Sequence, residues 1–229
     1  MSELGFIAAM HDVRDAMIAR LGLRELPIAD ELAHADAELH GQPITCRVEH
    51  LGGAVRARFA TVVGAGIEVA SVLAIAPPSF ALPIFGADLV AIGPTRALVV
   101  LDLSPTSAAH DDLGALVERL RLRPELPRAG ALPQWCEGLM SPHHVFARIE
   151  LVHAAAARGI FRDFARSFAE LRADASPRPT SADDAAVATR RWLAAHRTDD
   201  KSFGVLAHAF GAAWTRRAID EALFPVGWS

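Results

Sequence analysis

Between Ile44 and Leu103 the chain offers five strand candidates separated by reversals too short to hold a helix. Ile44–Leu51 stops at Gly52-Gly53, Val55–Val63 at Gly64-Ala65-Gly66, and Ile67–Ala76 at Pro77-Pro78, with Pro83 beyond. Asp88–Ile92 and Ala97–Leu103 follow, joined by Gly93-Pro94-Thr95. Strands connected this tightly pair antiparallel, because a parallel pair needs a crossover of about a dozen residues or more.

Helical patterning flanks the block. Phe6, Met10, Val13, Met17 and Leu21 recur at intervals of three and four, so the spacing predicts a helix over 2–21 that Gly22 stops. Residues 23–41 are polar and mixed, with a short helix predicted near Ile28–Leu39. His110–Leu122 carries Leu113, Leu116, Val117 and Leu120 on one face. A Pro-rich connector over 124–142 holds Trp135, and a strand near 144–150 completes the sheet. Further helices are predicted over 154–173, 181–195 and 201–223, with Ser181 and Asp184 spaced as an N-cap pair. Strands bracketed by helices make an α+β fold, expected as one domain over residues 1–229 with helices on both faces of an antiparallel sheet.

Composition narrows the function. Of 229 residues, 52% are hydrophobic and 22% charged, enough for a sizeable core. A net charge of -4 gives no overall basic field for nucleic acid. Cys46 and Cys136 form no metal spacing and imply no disulfide framework, which fits a reducing cytoplasm. The first residues carry no signal pattern, and the longest apolar run, Val69–Leu82, is broken by proline and too short for a membrane span. The Gly64-Ala65-Gly66 segment lacks the third glycine and the helix of a dinucleotide site, and neither a P-loop nor a G-x-S-x-G elbow occurs. His143 and His144 are adjacent, so on a strand they point to opposite faces and make a poor metal pair.

Three acids stand out. Asp88 follows a Pro-x-x-Gly turn and precedes an apolar strand. A carboxyl in an apolar setting is costly unless paired or protonated, and a protonated one is a usable acid near neutral pH. The alternative is a solvated residue on a surface hairpin. Asp200 begins the last helix, where a carboxylate caps free amides or does chemistry. Asp102 lies between Leu101 and Leu103, either facing solvent or anchoring the Ser104-Pro105 turn. Arg119, Arg121, Arg123 and Arg128 form either a solvated basic face or a patch for an acidic partner.

Five segments in order, LPIFGADLV, ALVVLDLSP, LPQWCEGLMSPHHVFAR, DDKSFGVLAHAFG and IDEALFP, resemble the ferredoxin-dependent bilin reductases over Val55–Pro225. The resemblance implies a three-layer α/β/α sandwich with a central antiparallel sheet. A linear tetrapyrrole, biliverdin or dihydrobiliverdin, is then held between the sheet and the C-terminal helices and reduced to a phytobilin. It implies no bound cofactor and no metal, with electrons arriving singly from an external [2Fe-2S] ferredoxin. Asp88 matches the central-strand proton donor, Asp200 the C-terminal-helix aspartate, and Arg148 and Lys201 the basic positions that pair with the propionates. The arginines of 119–128 are then the expected ferredoxin face. Phycocyanobilin-forming members carry a His and a Glu beside the central aspartate. Counting back from Asp88, these fall on Ser71 and Phe59, which then line the substrate site without donating protons. Their loss leaves two readings open, an altered regiochemistry or a tetrapyrrole-binding protein without activity.

Overall fold

A computed structural model of the chain describes residues 4–107, 132–178, 181–199 and 203–228. The helix predicted at 110–122 and the arginines of 119–128 lie outside the described residues, as do Asp200 and Lys201. Helix α1 (Phe6–Leu21) leads into β1 (Arg24–Leu26), the single-turn α2 (Asp30–Ala33), β2 (His34–Leu39) and β3 (Gln42–Gly52). Then come β4 (Arg56–Gly64), β5 (Ile67–Ile75), β6 (Ile84–Ile92), β7 (Arg96–Ser104) and β8 (Val145–Glu150). The C-terminal part holds α3 (Ala154–Asp174), α4 (Ala182–Asp199), α5 (Phe203–Phe210) and α6 (Ala212–Arg217), which continues as a π-helical segment, Ala218–Leu223.

Among the described residues the eight strands form one antiparallel sheet in the order β1-β3-β4-β5-β6-β7-β8, with β2 also on β3. The predicted meander is therefore present. Its tightest reversal pairs Gly64 with Ile67 around Ala65 (φ 50°) and Gly66 (φ 79°), both left-handed as a two-residue hairpin of matching twist demands. A side chain at Gly64 would collide with the carbonyl oxygen of Pro43.

Two predicted elements differ. The helix expected near 28–39 shrinks to α2, and 34–39 becomes β2. His40 (φ 55°) and Gly41 (φ 73°) make a second left-handed hairpin that lays His34–Leu39 along β3, so pairing overrides the helical propensity of its alanines. The long last helix is broken at Gly211 (φ 87°).

The sheet is a wall between two cores. On one side α1 and α3 bury Phe6, Val13, Met17, Phe161, Phe164 and Phe168 against inward residues of β4–β8, including Ala57, Val72, Phe85, Leu89 and Val99. On the other side α4, α5 and the π-helical segment bury Trp192, Leu193, Leu206, Ile219 and Leu223 against Cys46, Val48, Val62 and Leu73. Strands buried on both faces read as the nearly continuous apolar runs seen in the sequence.

One polar group on the α1 side is a cap. Glu68 of β5 is buried, and its carboxylate accepts the backbone N–H groups of Leu4 (3.1 Å), Phe6 (2.9 Å) and Ile7 (3.4 Å). These are orphan donors at the start of α1, whose own N-cap residue, Gly5, has no side chain to offer. Replacing Glu68 by Ala strands those donors and is expected to lower stability by about 1–3 kcal/mol. Urea denaturation checks this, and an unchanged midpoint would refute the cap.

Candidate active site

Strand alternation decides which sequence-selected residues meet. On the face toward α4 the register aligns Val48, Ala60, Ser71, Asp88, Val100 and Phe146 across six strands. The flanking rows are His50, Arg58, Leu73, Gly86 and Asp102 on one side, and Cys46, Val62, Val69, Val90, Leu98 and Arg148 on the other. Asp88 is therefore in mid-strand, since β6 begins at Ile84 rather than at Asp88 as its apolar pattern implied.

Asp88 stands at a boundary. Toward β3 the face is sealed: Val48, Ala60, Ser71 and Leu73 are buried under the C-terminal helices. Toward β8 it is half-open: Val90, Leu98, Val100 and Phe146 are half-buried, and Arg148 at the end of the next row is exposed. A half-open apolar wall with one acid at its inner edge and one cation at its outer edge suits a flat, anionic, mostly apolar ligand.

Phe59 does not belong to this wall. It pairs with Val72 and points into the α1/α3 core, 2% exposed. The ungapped count to Phe59 ignored the parity set by the Ala65-Gly66 hairpin. That hairpin places Arg58 and Ala60, not Phe59, on the Ser71 face.

Arg58 is the residue the sequence reading missed. It is buried, and its Nη1–H donates to Ser71 Oγ at 2.7 Å. Ser71 in turn donates its Oγ–H to Asp88 Oδ1. The available signal was the alternation of R-A-R-F-A-T, read through the hairpin to Ser71. Beside it lies an aromatic group from the C-terminal segments. His196 stacks on Trp192 (3.6 Å between centroids), meets Trp135 edge-on (4.9 Å) and approaches Phe224 (5.3 Å), whose ring lies 5.7 Å from the Arg58 guanidinium carbon. Trp192 lies against the sheet over Gly86, where a Cβ would already stand 3.4 Å from the indole ring. His196 donates Nδ1–H to the Trp192 carbonyl at 2.9 Å. Burial pushes its imidazole down to about 4, with the Arg58 charge adding to the effect and the Trp192 bond opposing it.

Asp102, one row away, is a fastener and not a solvated acid. It is 2% exposed and accepts Ser104 Oγ–H (2.5 Å), Ser141 Oγ–H (2.5 Å) and Ser141 N–H (2.9 Å). Burial raises its carboxyl, and these bonds pull the other way. Trp192 Nε1–H donates to Ser104 Oγ at 3.1 Å, so one carboxyl ties β7 to the connector before β8 and, through Ser104, to α4.

Comparison with known proteins bears on the family and the fold. The sequence pattern of the family described as ferredoxin-dependent bilin reductase matches residues 10–225, reaching further toward the N-terminus than the resemblance from Val55. A phycocyanobilin:ferredoxin oxidoreductase of Synechococcus sp. (strain CC9605) is 28% identical over 224 residues, 93% of this chain and 89% of that protein. A phycoerythrobilin:ferredoxin oxidoreductase of Synechococcus sp. (strain WH8020) is 31% identical over 184 residues, 72% of this chain and 70% of that one. The crystal structure of tomato phytochromobilin synthase in complex with biliverdin superposes with a TM-score of 0.82 at 20% identity, covering 96% of this chain and 82% of that chain. It establishes the shared fold.

His196 carries a pH signature. Unfolded histidine takes up a proton near 6.5, whereas native His196 does so only near 4. Between these values the unfolded chain binds more protons. The contribution is therefore fully present above about pH 6.5 and is lost as the pH falls toward about 4. His196→Gln is expected to flatten the acid fall in stability; an identical fall in urea midpoints for wild type and variant would contradict this.

Proposed function

The chain belongs to the ferredoxin-dependent bilin reductase family, and we infer that Asp88 is the acid through which it protonates a linear tetrapyrrole, biliverdin or dihydrobiliverdin. The observation that carries this is the position of Asp88, half-buried in mid-sheet where a sealed apolar face becomes an open one. The pigment lies on the half-open wall of Val90, Leu98, Val100 and Phe146, beside the edge of the C-terminal helices. Arg148 meets a propionate at the rim, a reading that its exposure at the end of the next row supports. Lys201 and Asp200 stay in the proposal from the resemblance alone.

Electrons come from a reduced [2Fe-2S] ferredoxin, with no resident cofactor, and the pigment is the redox-active group. Each electron makes the tetrapyrrole more basic, so a nearby acid determines where a proton is added. The protein's part is to orient the pigment, exclude water from one side of it and deliver protons. Ser71, in place of the histidine of phycocyanobilin-forming members, does not titrate near neutral pH. Protonation is thereby concentrated at Asp88, and the regiochemistry shifts toward the positions that acid reaches. No described helix is long and apolar enough to cross a membrane. Cys46 and Cys136, both buried and not joined in a disulfide, support work in the cytoplasm.

Mixing the protein with biliverdin is expected to alter the pigment's visible spectrum, and anaerobic addition of reduced ferredoxin to replace that spectrum with a product's. Asp88→Asn is expected to keep the first change and slow the second by about 100-fold or more. Chromatography of the extracted pigment identifies the product. Binding without ferredoxin-driven consumption in the wild type would favour a carrier over an enzyme, and unimpaired turnover by the variant would remove Asp88 from the chemistry.

A further inference from the structure

Three side chains on three consecutive strands form a line that ends at the proposed acid. Arg58 of β4, Ser71 of β5 and Asp88 of β6 share one face, and the hydrogen bonds run from guanidinium to hydroxyl to carboxylate. A serine hydroxyl has one proton to give, and here it goes to Asp88 while the oxygen accepts from Arg58. Arg58 is buried, so its charge is costly unless a negative group answers it. We propose that Arg58 is a positioning residue that acts through Ser71 to hold Asp88 as an ionised carboxylate, with Oδ1 fixed against β5. This rests on the reading of Asp88 as the proton-handling acid and adds what sets its charge and orientation.

Among the described residues, the other charged or titratable groups of the Asp88 row and its two flanking rows are Cys46 and His50 of β3, Asp102 of β7 and Arg148 of β8, with His196 of α4 packed over the sheet. An ionised Asp102 would oppose the effect of Arg58; burial raises its carboxyl away from that form, and its bonds to Ser104 and Ser141 pull the other way. His50 and His196 are bound to the carbonyls of Ala222 and Trp192. Among the described residues, Arg58 is joined to Asp88 by a continuous hydrogen-bonded path through Ser71.

The arrangement makes the line a dead end for protons. A guanidinium does not release a proton in the working range, so Ser71 has no source from which to regain one. Asp88 must therefore be loaded from the half-open side. In each step ferredoxin loses one electron, the pigment gains it, and one proton passes from water through Asp88 to the pigment.

Infrared titration of the ligand-free protein tests this without any tetrapyrrole, using Asp88→Asn to assign the carboxylic-acid C=O band of Asp88. Wild-type protein is expected to lack that band at neutral pH. Arg58→Gln is expected to raise the Asp88 titration midpoint by about one pH unit or more, the size of effect a nearby opposite charge has on a carboxylate. Ser71→Ala should shift it in the same direction by less, and Arg58→Lys should restore most of the wild-type value. A residue that merely fills space would lower thermal stability and leave the midpoint in place. The proposal is overturned if Asp88 is protonated in the neutral wild type, or if Ser71→Ala, the milder change, leaves the midpoint unmoved. Should the midpoints shift as expected while wild-type protein fails to consume biliverdin, the functional reading falls and the role of Arg58 stands.

Discussion

Alternation along five consecutive antiparallel strands governs this molecule. Because β4–β7 are covered by helices on at least part of both faces, each residue is assigned to one core or the other, and a slip of one position would exchange the two. Polar groups survive inside such a sheet only with partners. On one face Glu68 answers the amides at the start of α1. On the opposite face Arg58, Ser71 and Asp88 answer one another, and Asp102 is met by two serines. The same rule that builds the cores collects the chemistry on a single side.

Where that side stops being covered matters as much as which residues it carries. Under the C-terminal helices the surface is dry and apolar, and electrostatic effects are strong there because little water screens them. Toward β8 the covering thins, and Arg148 meets solvent. Asp88 lies where the two regimes join, half-buried and linked through Ser71 to the buried Arg58. An enzyme whose electrons come from another protein needs little else from its own residues: a surface that fixes the orientation of the pigment, and an acid whose charge state is set in advance.

Much of this was legible in the sequence for identifiable reasons. Gly- and Pro-marked reversals gave the meander, because short connections leave antiparallel pairing as the only solution. Ser71 and Asp88 both stand out in the sequence, and the register makes them direct cross-strand partners. Phe59 was placed on the wrong face because a linear count does not feel the parity of a two-residue hairpin. Arg58 escaped notice for the same reason, since an arginine in a strand otherwise reads as a solvated position. The strand at 34–39 was hidden by alanine-rich composition and revealed only by the left-handed pair His40-Gly41. His196 gave no signal at all, because its environment is assembled from Trp192, Phe224 and Trp135, which are brought together only by the fold.

The bare backbone at position 86 has a mechanical meaning. A methyl group there would come within 3.4 Å of the Trp192 ring, which is ordinary contact; anything bulkier would have to lift the indole. Trp192 is hydrogen-bonded into the Asp102 cluster and carries His196 one turn further along, so raising it would tilt the whole helical roof. The seat of the indole is thus set by a side chain that does not exist, and a residue larger than alanine at this spot would shift the roof over the sheet without changing any of the polar side chains beneath it.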